Sequence, residues 1–176
     1  QMLKAKVSKT GYENTDKSAE DLQNAIDKLA GKKSTVFKDA RESKDTSKVT
    51  AAAQELIDKY NSLVKVMSKM SSSLDEFYKK ALKGLPESIK ESLEKVGITY
   101  NSDGTLEVDS DKLKKADVDS LEKIFGSDSE FMKKLSFVTD RIESNAEANL
   151  QSVSSTYSST ADIMSSFNSS KYDFLG

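Results

Sequence analysis

The sequence predicts a mainly all-α fold: two long antiparallel helices in a coiled-coil-like pair, with a small insert of short helices and one β-hairpin. Three observations predict it. Apolar residues between positions 49 and 81 recur at alternating steps of four and three. A second run of the same kind extends from 131 to 167. Hydrophobic residues make up 36% of the chain and charged residues 32%, a balance that suits exposed long helices, where only a narrow stripe is apolar.

The first clear helix spans 18–30. Ser18 is a good N-cap, Glu20 and Asp21 favour the positive end of the helix dipole, and Leu22, Ile26 and Leu29 share one face. Gly31 can close it in a left-handed cap. Residues 31–45 are polar apart from Val36 and Phe37 and read as a linker or a short edge strand. Residues 1–45 therefore form an N-terminal segment with one short helix, and 46–176 a helical domain.

The domain opens with a long helix over 46–83, capped by Asp45 or Thr46. Its seam is Val49, Ala53, Leu56, Tyr60, Leu63, Met67, Met70, Leu74, Phe77 and Ala81. Each large seam residue, once buried, contributes about 1.5–3 kcal/mol, and a lone helix has no surface to bury it against. A partner helix is required.

The insert covers 84–126. Gly84 ends the long helix, and Leu85-Pro86-Glu87 restarts another with Ile89, Leu93 and Val96 on its buried face. Gly97 closes it. Ile98-Thr99-Tyr100 and Thr105-Leu106-Glu107-Val108 read as two short strands around the turn Asn101-Ser102-Asp103-Gly104, where Gly104 can take positive φ. Asp109 or Ser110 caps a short helix carrying Leu113, and Asp117 caps another carrying Leu121, Ile124 and Phe125.

The partner helix spans 127–170, capped by Ser127 or Ser129. Its stripe runs through Phe131, Leu135, Val138, Ile142, Ala146, Leu150, Val153, Tyr157, Ala161, Met164 and Phe167. Three successive steps of four after Val138 resemble a stutter, which locally unwinds a supercoil. The C-terminal part is serine-rich, and Met164, Phe167, Tyr172, Phe174 and Leu175 are candidate apolar anchors for a segment that orders on a partner.

Composition excludes much chemistry. The chain has no His and no Cys, which removes the usual general base, the thiolate nucleophile, disulfides and zinc–thiolate sites. The acids are scattered among lysines, and no pair is marked by an apolar pocket that would split its pKa values. No catalytic, cofactor-binding or metal-ligating residue is assigned, and no small-molecule substrate is expected. The net charge of −2 offers nothing to a nucleic-acid backbone, and Lys79, Lys80 and Lys83 read as a solvated helix face. No stretch approaches the roughly 20 apolar residues that span a bilayer. Residues 101–104 look like the middle of a calcium loop, but Ser110 stands where a bidentate Glu is needed. Gly31-Lys32-Lys33-Ser34 lacks the second glycine of a phosphate loop, since Ile26 holds that place.

Two runs carry a family resemblance. Asp45-Thr46, followed by Leu56-Ile57-Asp58-Lys59-Tyr60-Asn61-Ser62-Leu63, is similar to the "D-T … F/L-V/I-D-x-Y-N-x-L" helix of the flagellar hook-associated protein 2, or filament cap, family. Gly97-Ile98-Thr99, Asp103-Gly104-Thr105-Leu106, Asp109 and Lys112-Leu113 resemble its "L-G-I-T … D-G-T-L-x-x-D-x-x-K-L" run, and Leu121 to Gly126 resembles its "V-x-x-L-F-G" step. The resemblance covers about residues 45–145, the C-terminal helical region of the family. Residues 1–44 carry no counterpart of the β-rich head that members have before this region. The resemblance implies an extracellular structural protein of the bacterial flagellum that self-associates, contacts flagellin or hook-junction proteins, and is met at its tail by an export chaperone. The alternative is a stand-alone soluble, cytoplasmic helical adaptor or chaperone-like module sharing only the fold.

Overall fold

A computed structural model of the chain describes the backbone of residues 2–166 and the side chains of residues 9–153. Among the described residues the fold is mainly all-α, with one small antiparallel hairpin. Four helices form the body: α1 (Met2–Ala30), α3 (Ser47–Met67), α4 (Ser73–Ser88) and α8 (Glu130–Ser166). α2 (Val36–Ser43) joins α1 to α3. Between α4 and α8 lie α5 (Lys90–Lys95), β1 (Ile98–Tyr100), β2 (Leu106–Val108), α6 (Ser110–Lys115) and α7 (Val118–Phe125).

Side-chain pairings fix the helix directions. Gln23 of α1 donates to the Ser136 carbonyl of α8 at 2.8 Å, while Asp16, two turns earlier, lies beside Glu143 and Glu147. α1 and α8 are therefore antiparallel. Lys28 of α1 meets Glu55 of α3, and Gly11 adjoins Met70 just beyond its end, so α1 is antiparallel to α3 as well. Asp75 of α4 adjoins Asn145, and Ile89 lines one cleft with Phe131, so α4 runs antiparallel to α8. The result is an up-down-up-down bundle in which α1 and α4 each touch both α3 and α8 or their ends.

This corrects the expected pairing. The segments 46–83 and 127–170 are not each other's main partners; both pack on α1, which runs as one 29-residue helix instead of beginning at Ser18. Its buried stripe joins Leu22, Ile26 and Leu29 to the smaller Thr15, Ala19 and Ala25. The smaller residues ahead of Leu22 let neighbouring helices approach closely but add little to an apolar pattern.

The expected continuous helix 46–83 is two helices. After Met67 the chain turns, Met70 tucks into the core, and Ser72 starts α4 with a reciprocal capping box: its hydroxyl accepts from Asp75 N at 3.0 Å and its own N–H donates to Asp75. Ser72, two residues beyond Met70, interrupts what the four-three spacing presented as one seam. α4 then continues through Gly84 and Pro86 to Ser88, where a stop at Gly84 was expected. The stretch 31–45, expected as linker or strand, holds α2, which buries Phe37 and Ala40. Arg41 of α2 ties it to Asp119 and Glu122 of α7 at 2.6 and 2.7 Å.

The insert follows the sequence closely. β1 and β2 pair with Ile98 opposite Val108 and Tyr100 opposite Leu106. Asp109 caps α6, Asp117 caps α7, and Ser129, whose hydroxyl accepts from Met132 N at 3.2 Å, caps α8. Gly97 sits at φ +90°, where an added Cβ would lie 3.0 Å from the Asp109 carbonyl oxygen and 2.9 Å from Lys112 Cβ.

Candidate functional site

The seam residues proposed from the sequence separate into two groups. Leu56, Tyr60, Leu63, Met67 and Met70 are buried, as are Phe131, Leu135 and Ile142, while Val138, Leu150 and Val153 are half-buried. Leu74 and Phe77 are the exceptions, at 47% and 63% exposed, because the break before Ser72 rotates α4 away from the seam continued from α3. Tyr157 and Met164 lie in the α8 backbone, but their side chains fall outside the described residues, as do Phe167, Tyr172, Phe174 and Leu175 altogether.

Burial does not exhaust the role of the segment around Tyr60. The Tyr60 hydroxyl donates to the Gly104 carbonyl at 2.7 Å, and burial pushes its phenol far above the ordinary range. Asn61 donates from Nδ2 to the Leu106 carbonyl and accepts the Leu106 N–H at Oδ1, both at 2.8 Å. One side-chain amide thus replaces a neighbouring strand along the free edge of β2. Asp103 closes the turn by accepting from the Thr105 hydroxyl and N–H, which holds its carboxyl below the usual range. The two sequence runs noted above, one on α3 and one on the hairpin, are therefore a single joint in space.

Residues 75–174 match the family model described as flagellar hook-associated protein 2 C-terminus. The chain belongs to the flagellar hook-associated protein 2 family. No curated protein and no solved structure matches the chain. The matched region takes in α4, the insert with its hairpin, and α8. The hook-associated protein 2 family is a structural flagellar family, not an enzyme family. Among the described residues no helix is long and apolar enough to cross a membrane.

Two surface features remain. On α4, Phe77, Lys80, Lys83 and Gly84 line a shallow groove of about 710 Å³ that reaches Ser68 at the end of α3 and Tyr100 of the hairpin. Across the bundle, Asp16, Glu143 and Glu147 bring one carboxylate oxygen each within 4.8 Å of the others. Glu143 is held above its ordinary value by burial and then by Glu147 and Asp16; Glu147 is raised chiefly by Asp16. Three oxygens supply half or less of the six to eight that a calcium ion takes, and no nitrogen or sulfur ligand stands in the group. The arrangement acts chiefly as a concentration of negative charge. Sequence reading missed it because its members come from two helices far apart in the chain.

Proposed function

We propose that this chain is a flagellar cap-like structural component, working outside the cell through protein–protein contacts and helical assembly. The family match over residues 75–174 carries the reading. The fold supports it. The described polar chemistry goes into caps, turns and helix joints, and the bundle presents long helical faces to partners. Flagellin or hook-junction proteins are the partners we assign, with self-association of the chain itself. The tail residues Met164, Phe167, Tyr172, Phe174 and Leu175 are assigned to an export chaperone, since apolar anchors in a serine-rich tail suit docking into a partner's groove.

The test is co-sedimentation of the native chain with flagellin filaments and hook-junction proteins, beside light scattering of the chain alone. Binding to filament ends or hook-junction proteins, together with concentration-dependent oligomers, is expected. A strictly monomeric chain that binds neither would overturn the cap reading in favour of a stand-alone helical adaptor.

A further inference from the structure

α1 and α8 meet along a polar strip as well as an apolar one. Ser136, Thr139, Glu143 and Glu147 recur on α8 at steps of three and four, so they share one face of the helix. At one end of the strip Gln23 of α1 locks on: its Nε2 donates to the Ser136 carbonyl at 2.8 Å, and its Oε1 accepts from the Ser136 hydroxyl at 3.2 Å. Thr139 follows, fully buried, and among the described residues its hydroxyl has no hydrogen-bond partner. At the other end Asp16 of α1 meets Glu143 and Glu147. Asp16 and Glu147 are in direct side-chain hydrogen-bond contact, and Asp16 Oδ1 is buried with no donor among the described residues. Two ionised carboxylates only accept, so this contact needs a proton on one of them. Glu147 is the exposed member of the pair and can exchange that proton with solvent.

No cation answers this charge. Glu20 of α1 and Asp140 of α8 add to it, and among the described residues none of the five carboxylates forms a salt bridge. α3 packs on another flank of α1, where Lys17 and Lys59 line a cleft with Asp21. α4 meets α8 at Asn145, about 200° around the helix from Glu143, and brings Asp75, whose charge bears on Tyr12. The bundle also thins here. Gly11 adjoins Met70 just after α3, and Asn145 adjoins Asp75 in the first turn of α4, so past this level α1 and α8 run on without either neighbour.

We propose that Asp16 and Glu147 form a proton-operated clasp that closes the first half of α1 on α8. With one proton between them, Glu147 donates to Asp16 and the two helices stay together through this level. With both carboxylates ionised, α1 opens from α8 at Ala19 and earlier, while the Gln23–Ser136 lock and the larger Leu22, Ile26 and Leu29 hold the rest of the helix in place. Opening also lets the Thr139 hydroxyl reach water, which offsets part of the cost of separating the helices. Asp16 raises Glu147 above the ordinary carboxylate range, so the closed form is present on the acid side and is lost as pH rises through that raised value. The proton comes from solvent and returns to it. pH thereby sets whether the first half of α1 is packed or released.

The test is amide hydrogen exchange of the full chain across a pH series, with each amide corrected for its intrinsic rate. Protection of the α1 amides from Tyr12 to Ala19 is read against those from Leu22 to Leu29 in the same helix. In the wild type that ratio should fall by about tenfold between about pH 5 and about pH 8. Asp16→Asn and Glu147→Gln each supply an amide donor that needs no proton, so both should keep the ratio high throughout. Asp21→Asn removes a charge from the α3 flank of α1 and should retain the wild-type pH dependence. Circular dichroism confirms that each variant keeps the helical fold. A wild-type ratio that does not change with pH would overturn the clasp, as would a fall that persists in Asp16→Asn and Glu147→Gln or one that Asp21→Asn abolishes. Calcium chloride that restores protection at neutral pH, where sodium chloride of equal ionic strength does not, would overturn the proton as the occupant and assign the pair to a cation.

Discussion

Asn61 of α3 and Leu106 of β2 exchange two hydrogen bonds at 2.8 Å, so a helix side chain completes the outer edge of a two-stranded sheet. A hairpin of three-residue strands is marginal alone, and an unpaired edge invites pairing with another chain. Asn61 satisfies that edge, and Tyr60 one residue earlier anchors the turn at Gly104.

Asn61→Ala removes both bonds and leaves the Leu106 N–H and carbonyl without their partner. A loss of about 1–3 kcal/mol in denaturant unfolding is expected, with faster hydrogen exchange at the Leu106 amide than at core amides of α3. Tyr60→Phe removes a single bond and should cost about 1 kcal/mol. Equal stability of Asn61→Ala and wild type would dismiss the joint.

The corrected seam predicts a sharp contrast within one apolar series. Leu63 is fully buried, and Leu63→Ala should cost about 2–5 kcal/mol. Phe77, at 63% exposed, should tolerate Phe77→Ser within about 0.5 kcal/mol. Thermal melts of the two variants decide between this bundle and a continuous 46–83 seam, in which both would be severe.

Gly97 and Gly104 both sit at positive φ, so alanine at either should cost about 1–2 kcal/mol from backbone conformation. Gly97→Ala should be the worse. Its added methyl meets the Asp109 backbone, whereas the one at Gly104 meets the flexible Lys83 side chain. Chemical denaturation of the pair checks the order.

The α1–α8 carboxylates make stability depend on pH. The groups bearing on Glu143 are Glu147, Asp16, Glu20 and Asp140, and the same three aspartate and glutamate neighbours bear on Glu147. Both have folded pKa values above the ordinary 4.5, so the folded chain holds their protons more tightly. Their stabilising contribution is present below that value and is lost as pH rises through the folded pKa. Asp45, Asp103 and Asp117 are shifted below 3.8, so their contribution is present above that value and is lost as pH falls further. Melting temperature should therefore rise on mild acidification from neutral and fall again in stronger acid. Glu147→Gln should stabilise the fold at neutral pH by relieving repulsion from Asp16 and, at about 0.2–0.5 kcal/mol, from its i,i+4 neighbour Glu143, and the gain should fade on acidification through pH 4.5.

Local signals carried the insert from Gly97 onward, though not the expected helix stop at Gly84. Gly97, the turn at Gly104 and the cap Asp117 stand where the sequence placed them, and Asp109 and Ser129 are each one of the two caps it offered, because each is decided by backbone conformation or by a side chain reaching three residues along the chain. The helical character of 47–67 and of α8 was equally readable, since large apolar residues recur at helical spacing.

Partner choice was not readable. A stripe at four-three spacing states that a helix buries one side, and it does not say which helix covers it. α1 took that place through Leu22, Ile26 and Leu29, extended toward its start by the small Thr15 and Ala19. The turn at 68–72 was hidden for a related reason: Met70 kept the spacing intact while Ser72 and Asp75 restarted the helix in a new direction. The joint of Asn61 with Leu106 and the acidic group of Asp16, Glu143 and Glu147 arise from residues far apart in the chain. Periodicity and capping are properties of neighbours along the backbone and were determined by sequence alone. Helix order and the meeting of charges depend on packing in three dimensions, and only the tertiary structure decided them.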